Sequence, residues 1–211
     1  MWTMLALKGT LTRSEPFDFI SYLDRGQTLL VGEGNLSFAL SLALRMKARR
    51  RNLVATTYEP ERRLSEVTSA NAARLRRLGV RVLHAVDATK LDAIFEHRRF
   101  GPIVFQFPNV ASREPLHRRN PNYILVRRFL RSARSILSRN GRISITPIDS
   151  PFYDGAFAMS EAAKWAGCSE PDVHPFKFSD HPNYSHANTL DDAESAITSK
   201  DKCQTYMFSK K

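Results

Sequence analysis

Residues 27–37 read QTLLVGEGNLS, and this stretch decides the fold. A short apolar run that stops at Val31 predicts a buried β-strand, and the residues after it predict a turn that leads directly into a helix. Gly32 permits the tight turn, and Gly34 lets the backbone approach a ligand closely. Because the N-terminus of the following helix has free N–H groups, the turn is a candidate cofactor site.

Strand and helix patterns alternate on both sides of this turn. They predict further strands at residues 52–58, 80–86, 102–107 and 142–147, helices at 36–50, 60–78, 123–137 and 156–166, short helical pieces at 17–23 and 91–95, and late strands at 176–178 and 205–208. Such alternation is typical of an α/β fold, a Rossmann-like and mostly parallel sheet with helices on both faces. We expect one domain over residues 1–211, with residues 1–26 as an N-terminal lead-in.

Acidic residues follow the second and third predicted strands. Glu59 can accept both hydroxyls of an adenosine ribose, and Asp87 with Ala88 would lie where the adenine edge binds. Solvent-exposed carboxylates beside a plain turn are the alternative interpretation. NAD(P) and S-adenosylmethionine (SAM) both fit the pattern, although Ser37 in place of the third glycine weakens the case for a dinucleotide.

The composition limits the function classes. The chain has 211 residues and a formal net charge of +11, which suits an anionic partner such as nucleic acid and says nothing about the fold. No uncharged apolar stretch approaches the length of a membrane span, so we expect no membrane association. Cys168 and Cys203 lie far apart, which argues against a disulfide framework and favours a cytoplasmic location.

The basic residues concentrate in residues 45–81 and 112–142. The first group falls at predicted helix C-termini, where cations complement the helix dipole. In the second group, the side chains just after the fourth strand are candidates for meeting an anionic substrate: Arg113, His117, Arg118 and Arg119. The remaining arginines are interpreted mostly as a solvated helix face: Arg127, Arg128, Arg131 and Arg134.

Several motifs together resemble the SAM-dependent 25S ribosomal RNA uridine-N3 methyltransferase-like family, a Rossmann-like group of class I methyltransferases. The most specific motif is the Gly-Glu-Gly turn followed by Ser37 and Phe38. The resembling pieces cover residues 29–43, 55–59, 86–91 and 104–109, Asn122, and residues 181–186. The resemblance implies a SAM-dependent methyltransferase whose substrate is RNA uridine N3.

The resemblance also implies which residues form the site. The cofactor side would comprise Gly32, Glu33, Gly34, Asn35, Ser37, Phe38, Glu59, Asp87 and Ala88. The acid that class I enzymes commonly carry two residues before the first glycine is replaced by Leu30, so Glu33 is expected to take over the contact to the amino group of the ligand. The cofactor is S-adenosyl-L-methionine.

The substrate side follows the fourth strand. Phe107 offers a stacking face for a planar substrate, while the side-chain amides of Gln106 and Asn109 can hold the carbonyl edges of a base. The catalytic candidates are Asn109, Gln106 and Tyr184, and the substrate-binding candidates are Phe107, Pro108, Arg113, Arg118, Arg119, Asn122 and His186. A buried strand end with two capping amides is the alternative.

The substrate side departs from the family, which usually has Asn at Gln106, His at Asn109 and Gly at Asn183. A SAM-using enzyme that acts on a small molecule or on SAM itself therefore stays open, as does a non-catalytic nucleotide or nucleic-acid binding module. The spacing of His174, His181 and His186 matches no zinc pattern, so we expect no metal. A eukaryotic rRNA enzyme would be nucleolar, not cytoplasmic.

Overall fold

The computed structural model describes residues 19–23, 26–110, 112, 114–148, 155–186 and 203–211. Its sheet has seven strands in the order β3-β2-β1-β4-β5-β7-β6. Strands β1 to β5 are parallel, and β7 runs antiparallel to both of its neighbours. The strands are β1 (Thr28–Val31), β2 (Leu53–Thr56), β3 (Arg81–Leu83), β4 (Phe100–Gln106), β5 (Leu137–Thr146), β6 (Asp172–Phe176) and β7 (Cys203–Phe208).

In the described segments, six α-helices cover the sheet: α1 (Phe19–Leu23), α2 (Ser37–Met46), α3 (Glu66–Arg77), α4 (Leu91–Ile94), α5 (Pro121–Ile136) and α6 (Met159–Ala166). Side chains alternate along the strands, so the central strand β1 contributes to two cores. Leu29 and Val31 pack with α4, α5 and α6, whereas Leu30 packs with α1, α2 and α3. The predicted parallel α/β sheet with helices on both faces is confirmed. None of the described helices is long and apolar enough to cross a membrane.

Two predicted elements are shorter in the structure, each for a local reason. The helix expected at residues 60–78 begins at Glu66, since residues 61–63 form a 3₁₀ turn and Ser65 Oγ accepts the Thr68 N–H at 3.2 Å. The strand expected at 80–86 ends at Leu83, where the left-handed Ala85 (φ 58°) turns the chain away from the sheet.

Strand β5 begins earlier than predicted. The helix before it ends at Ile136, and residues 140–141, expected to stop that helix, lie inside β5. A Cβ at Gly141 would lie 2.4 Å from the Gly101 carbonyl oxygen, where the β4–β5 register shifts. Gly141 therefore allows close approach of two strands and does not end a helix.

Phe129 is the central side chain of the α5-side core. It is fully buried, and its ring meets Phe105 edge to face at 4.9 Å between centroids. We predict that Phe129→Ala lowers the free energy of unfolding by about 3–5 kcal/mol, measured by urea denaturation. The matched control Val67→Ala, at a site 52% exposed on α3, should change it by less than about 0.5 kcal/mol. Similar losses in both variants would contradict this packing.

Candidate active site at the carboxyl ends of β1, β2 and β4

The turn after β1 requires glycine at its first position. Gly32 is left-handed (φ 63°), and a Cβ there would lie 2.6 Å from the Phe105 ring. Neighbouring backbone groups attach the turn to β2: the Glu33 N–H donates to the Thr56 carbonyl at 2.8 Å. The glycine turn is thus fixed against both strands that flank β1.

The start of α2 is closed by local polar contacts. Asn35 Oδ1 accepts the Ser37 N–H at 3.0 Å, and Asn71 Nδ2 donates to the Asn35 carbonyl at 2.8 Å. Leu36 adopts the left-handed conformation (φ 61°) between them. The ligand-facing turn is therefore preorganised by side chains of α3 and of the turn itself.

Glu33 is a buried carboxyl group within this turn. Its side chain accepts the Ala39 N–H at 3.0 Å, and the residue is 7% exposed. Burial raises the pKa of Glu33 to about 7, and the Ala39 hydrogen bond only partly offsets that effect. A cationic group bound beside Glu33 would favour the ionised carboxylate.

The loop at residues 181–186 packs directly on the glycine turn. Ser185 provides the contacts: its carbonyl accepts from Asn35 Nδ2 at 3.1 Å and from Ser37 Oγ at 2.9 Å, and its N–H donates to Ser37 Oγ at 3.1 Å. Ser185 was not among the predicted site residues, because a contact across 148 residues leaves no local pattern in the sequence. These bonds bring Tyr184 and His186 to the cofactor turn.

Phe107 belongs to the interior. It is 6% exposed, and its ring stacks on Phe178 and Tyr184 at centroid distances of 5.8 and 6.3 Å. The expected open stacking face for a substrate is therefore not present. The left-handed backbone at Phe107 (φ 48°) turns the ring into this aromatic group. Phe38 and Pro108 are buried as well, and Phe38 meets Tyr184 edge to face at 5.4 Å.

Tyr184 and His186 form a neutral pair. Tyr184 Oη lies 3.3 Å from His186 Nδ1. Burial, and then the charge of Glu33, raises the pKa of Tyr184 far above its ordinary value, while burial lowers the pKa of His186. Both groups are therefore neutral near pH 7, and they share one hydrogen bond. Tyr184 is accordingly suited to hydrogen bonding and unsuited to acting as a phenolate base near neutral pH.

Among the described residues, the last residue of β4 and the segment just after it carry buried side-chain polar atoms without partners. Within the described part of the chain, neither polar atom of Gln106 nor Oδ1 of Asn109 has a hydrogen bond. A buried unpaired polar group costs about 1–3 kcal/mol, which argues against simple capping amides. Since Val31 pairs with Phe105, Gln106 emerges beside Gly32. Asn122, by contrast, is occupied, because its Oδ1 accepts the Val110 N–H at 2.7 Å.

A relay of hydrogen bonds holds the end of β2. Arg76 donates to His84 Nε2 at 3.0 Å, so His84 Nδ1 carries the proton and donates to Thr57 Oγ1 at 2.8 Å. Thr57 Oγ1 in turn donates to the Glu59 carbonyl at 2.8 Å. Burial and the Arg76 charge lower the pKa of His84, which keeps the ring neutral. The relay fixes the backbone at Glu59.

Asp87 begins a 3₁₀ turn. Its Oδ1 accepts the N–H and the hydroxyl of Thr89, both at 2.8 Å, and the other oxygen lies 3.7 Å from Lys90 Nζ. Ala88, the next residue, is buried. One carboxylate oxygen of Asp87 is thus committed to capping.

The basic candidates at this edge differ in their contacts. Arg119 pairs with Glu161 at 3.0 Å and lies over the Tyr123 ring. Arg118 is exposed and left-handed (φ 62°), and Arg113 lies outside the described residues. No group of three or more His, Cys, Asp or Glu side chains suited to a metal occurs among the residues that the structure describes. His181 packs among aromatic rings, and burial lowers its pKa to about 4.

The chain matches one known protein family over most of its length. Residues 29–188 match the BMT5-like family, described as rRNA (uridine-N3-)-methyltransferase BTM5-like. The chain belongs to this family. It is 32% identical over 205 residues to the Arabidopsis thaliana protein called "Uncharacterized protein At4g26485", a match that covers 89% of the chain and 94% of that protein.

Solved structures show the same fold. NSun6 from Pyrococcus horikoshii superposes with a TM-score of 0.58 at 12% identity, over 90% of this chain and 49% of that one. SMU.776, a putative methyltransferase complexed with SAH, superposes with a TM-score of 0.52 at 15% identity, over 90% and 47%. The chain spans about half the length of these two structures.

As a BMT5-like member, the chain is a SAM-dependent methyltransferase with a class I fold, as the resemblance implied. Its site fits that cofactor. Gly32 and Gly34 leave the turn without side chains at two positions, and Glu33 presents a buried carboxyl within the same turn. The expectation of free N–H groups at the start of α2 is wrong for Ser37 and Ala39, whose N–H groups are accepted by Asn35 and Glu33. Unpaired amide atoms of Gln106 lie on the adjacent strand.

We predict a pH-dependent effect of Glu33 on stability. Burial raises its pKa from 4.5 to about 7 in the folded chain. Between these pH values the carboxyl therefore keeps its proton in the folded state and loses it in the unfolded state. The free energy of unfolding of the wild type should therefore fall as pH rises through this range, relative to Glu33→Gln, by up to about 3 kcal/mol. Urea denaturation of both proteins without cofactor from pH 4.5 to 8 measures this difference. Parallel pH profiles would contradict it.

Proposed function

We propose that this enzyme methylates N3 of uridine in RNA. The observation that carries the proposal is the buried, unpaired amide of Gln106, next to the glycine turn and three residues before Asn109. An amide offers both a donor and an acceptor, which is what the edge of a uracil base requires. Membership of the BMT5-like family supports the same substrate.

The proposed cofactor side follows the first three strands. Gly32 and Gly34 would allow close approach of the backbone, Glu33 would meet a cationic amino group, and Glu59 would accept ribose hydroxyls. Asp87 and Ala88 are assigned to the adenine edge, where the Asp87 oxygen that does not cap Thr89 lies 3.7 Å from Lys90 Nζ. When bound, SAM supplies an electrophilic methyl group.

The substrate side stabilises charge on the base. N3 of uridine must lose its proton, and negative charge then develops on the two flanking carbonyl oxygens. Amide N–H groups of Gln106 and Asn109 are proposed to donate to those oxygens, and their fixed positions favour the reactive form. Tyr184 and His186 are proposed to orient the site through the hydrogen bond that they share, and the N3 proton is proposed to pass to solvent.

Mass spectrometry of nucleosides tests the proposal directly. The enzyme is incubated with isotope-labelled SAM, once with RNA and once alone, and Gln106→Leu is treated in the same way. Labelled 3-methyluridine from the RNA reaction supports the proposal. A labelled product from SAM alone would replace it with an activity on SAM or on a small molecule.

We predict that Asn109→Ala lowers kcat by about 10²-fold, since it removes one donor to the charge that develops on the base. Its affinity for SAM, measured by calorimetry, should stay within about twofold, because no cofactor contact is assigned to Asn109. Equal losses of turnover and SAM affinity would contradict a substrate-side role.

We predict that Glu59→Ala weakens SAM binding by about tenfold to a hundredfold, the usual effect of losing hydrogen bonds to a charged group. Calorimetry with SAM measures it. Glu96→Ala, which removes an exposed carboxylate beyond α4, is the matched control and should bind SAM like the wild type. Unchanged affinity in Glu59→Ala would refute the ribose contact.

A further inference from the structure

Helix α5 has a continuous basic face. Arg127, Arg131 and Arg134 follow one another at intervals of four and three residues, which places them on one side of the helix. The helix carries four arginines and no acidic residue. Together with Arg119, which precedes the helix, these three arginines define the basic track.

Trp165 of α6 lies against the middle of the basic track. Its side chain is 44% exposed, and the guanidinium carbons of Arg127 and Arg131 lie 4.7 and 5.5 Å from the indole centroid. Arg127 also lies 5.3 Å from the Tyr123 ring. Cation–π contacts thus hold these side chains in place. Arg131 is exposed, as the prediction of a mostly solvated helix face implies, whereas Arg127 is half-buried between the Trp165 and Tyr123 rings.

Charge is distributed unevenly along the track. In the described part of the chain, the carboxylate of Glu161 pairs with Arg119 at the active-site end. At the other end, Lys210 Nζ donates to the Leu137 carbonyl at 2.6 Å. Burial lowers the pKa of Lys210, and the nearby positive charges of Arg134 and Arg99 lower it further. Cations therefore accumulate away from the site. A multiply charged anion would relieve their repulsion.

We propose that the basic track binds the sugar-phosphate backbone of RNA beside the active site. This rests on the proposed function, which supplies RNA as the substrate. The 16-residue helix is about 24 Å long and begins at the active-site edge, so it spans several nucleotides. Guanidinium groups stacked on Trp165 lose little freedom when they pair with phosphates, and their planar geometry suits that anion. Trp165 is a positioning residue for Arg127 and Arg131.

Fluorescence anisotropy with the full chain tests the track, using a fluorescein-labelled 20-nucleotide single-stranded oligouridine as probe. Arg127→Gln with Arg131→Gln should weaken binding about tenfold and reduce the slope of log K against log salt by about 1.4, or 0.7 for each lost phosphate contact. Arg74→Gln with Arg77→Gln on α3 removes the same charge elsewhere, and should change affinity by less than about twofold.

The role of Trp165 is tested with two variants in the same titration. Trp165→Ala should weaken binding about threefold, and Trp165→Phe, which keeps a ring beneath the guanidinium groups, should restore it. Calorimetry with SAM verifies that each variant retains its fold. The proposal for the basic track would be refuted if the α5 and α3 double variants lost RNA affinity equally, or if the wild type did not bind the probe.

The nucleoside assay separates this proposal from the proposed function. If the wild type forms 3-methyluridine and the track variants bind the probe like the wild type, the basic track is refuted and the proposed function stands. Loss of binding in the track variants, with no methylated uridine formed by the wild type, would support the track and refute the proposed activity.

Discussion

The close contact between Gly32 and the Phe105 ring sets the relative positions of the cofactor turn and the substrate strand. The ring occupies the space that a Cβ at Gly32 would take, and its edge-to-face contact with Phe129 ties it to α5. Because the turn continues into α2 on the opposite face, this one contact couples both helical layers through the two central strands. The chain therefore positions its glycine turn and Gln106 by packing in the core, without relying on loop contacts alone.

The site that results favours neutral groups. Burial keeps Tyr184, His186 and His181 uncharged near neutral pH, and it lets Glu33 hold a proton up to about pH 7. An uncharged base edge can enter such surroundings at a smaller desolvation cost than a phosphate. The exposed cations lie outside, along α5. This separation matches the two proposals, in which the interior amides recognise the base and the surface arginines attract the RNA backbone.

Local patterns in the sequence predict what adjacent residues determine. Alternating apolar runs identify the parallel sheet, and the Gly-Glu-Gly turn identifies the ligand edge. They do not show that Ser185 bonds to Ser37, that Phe107 turns inward, or that Trp165 meets Arg127, because each depends on segments brought together only by folding. The start of α3 was misplaced for a different reason: Pro60 is a plausible first helical residue, but the Ser65 cap decides the boundary.

The two departures at the substrate side bear on how the reaction responds to pH. The family usually has Asn and His where this chain has Gln106 and Asn109. Glutamine is longer than asparagine by one methylene, so the amide of Gln106 reaches farther from β4. Asn109 replaces the family's histidine, the one side chain at these two positions that would titrate near neutral pH. Neither side chain can accept the N3 proton as a base. In the proposed mechanism, the pH dependence of turnover would come from the N3 proton of the substrate and from Glu33, which is assigned to the cofactor side. The two amides would then raise the rate by holding the deprotonated base and not by removing its proton.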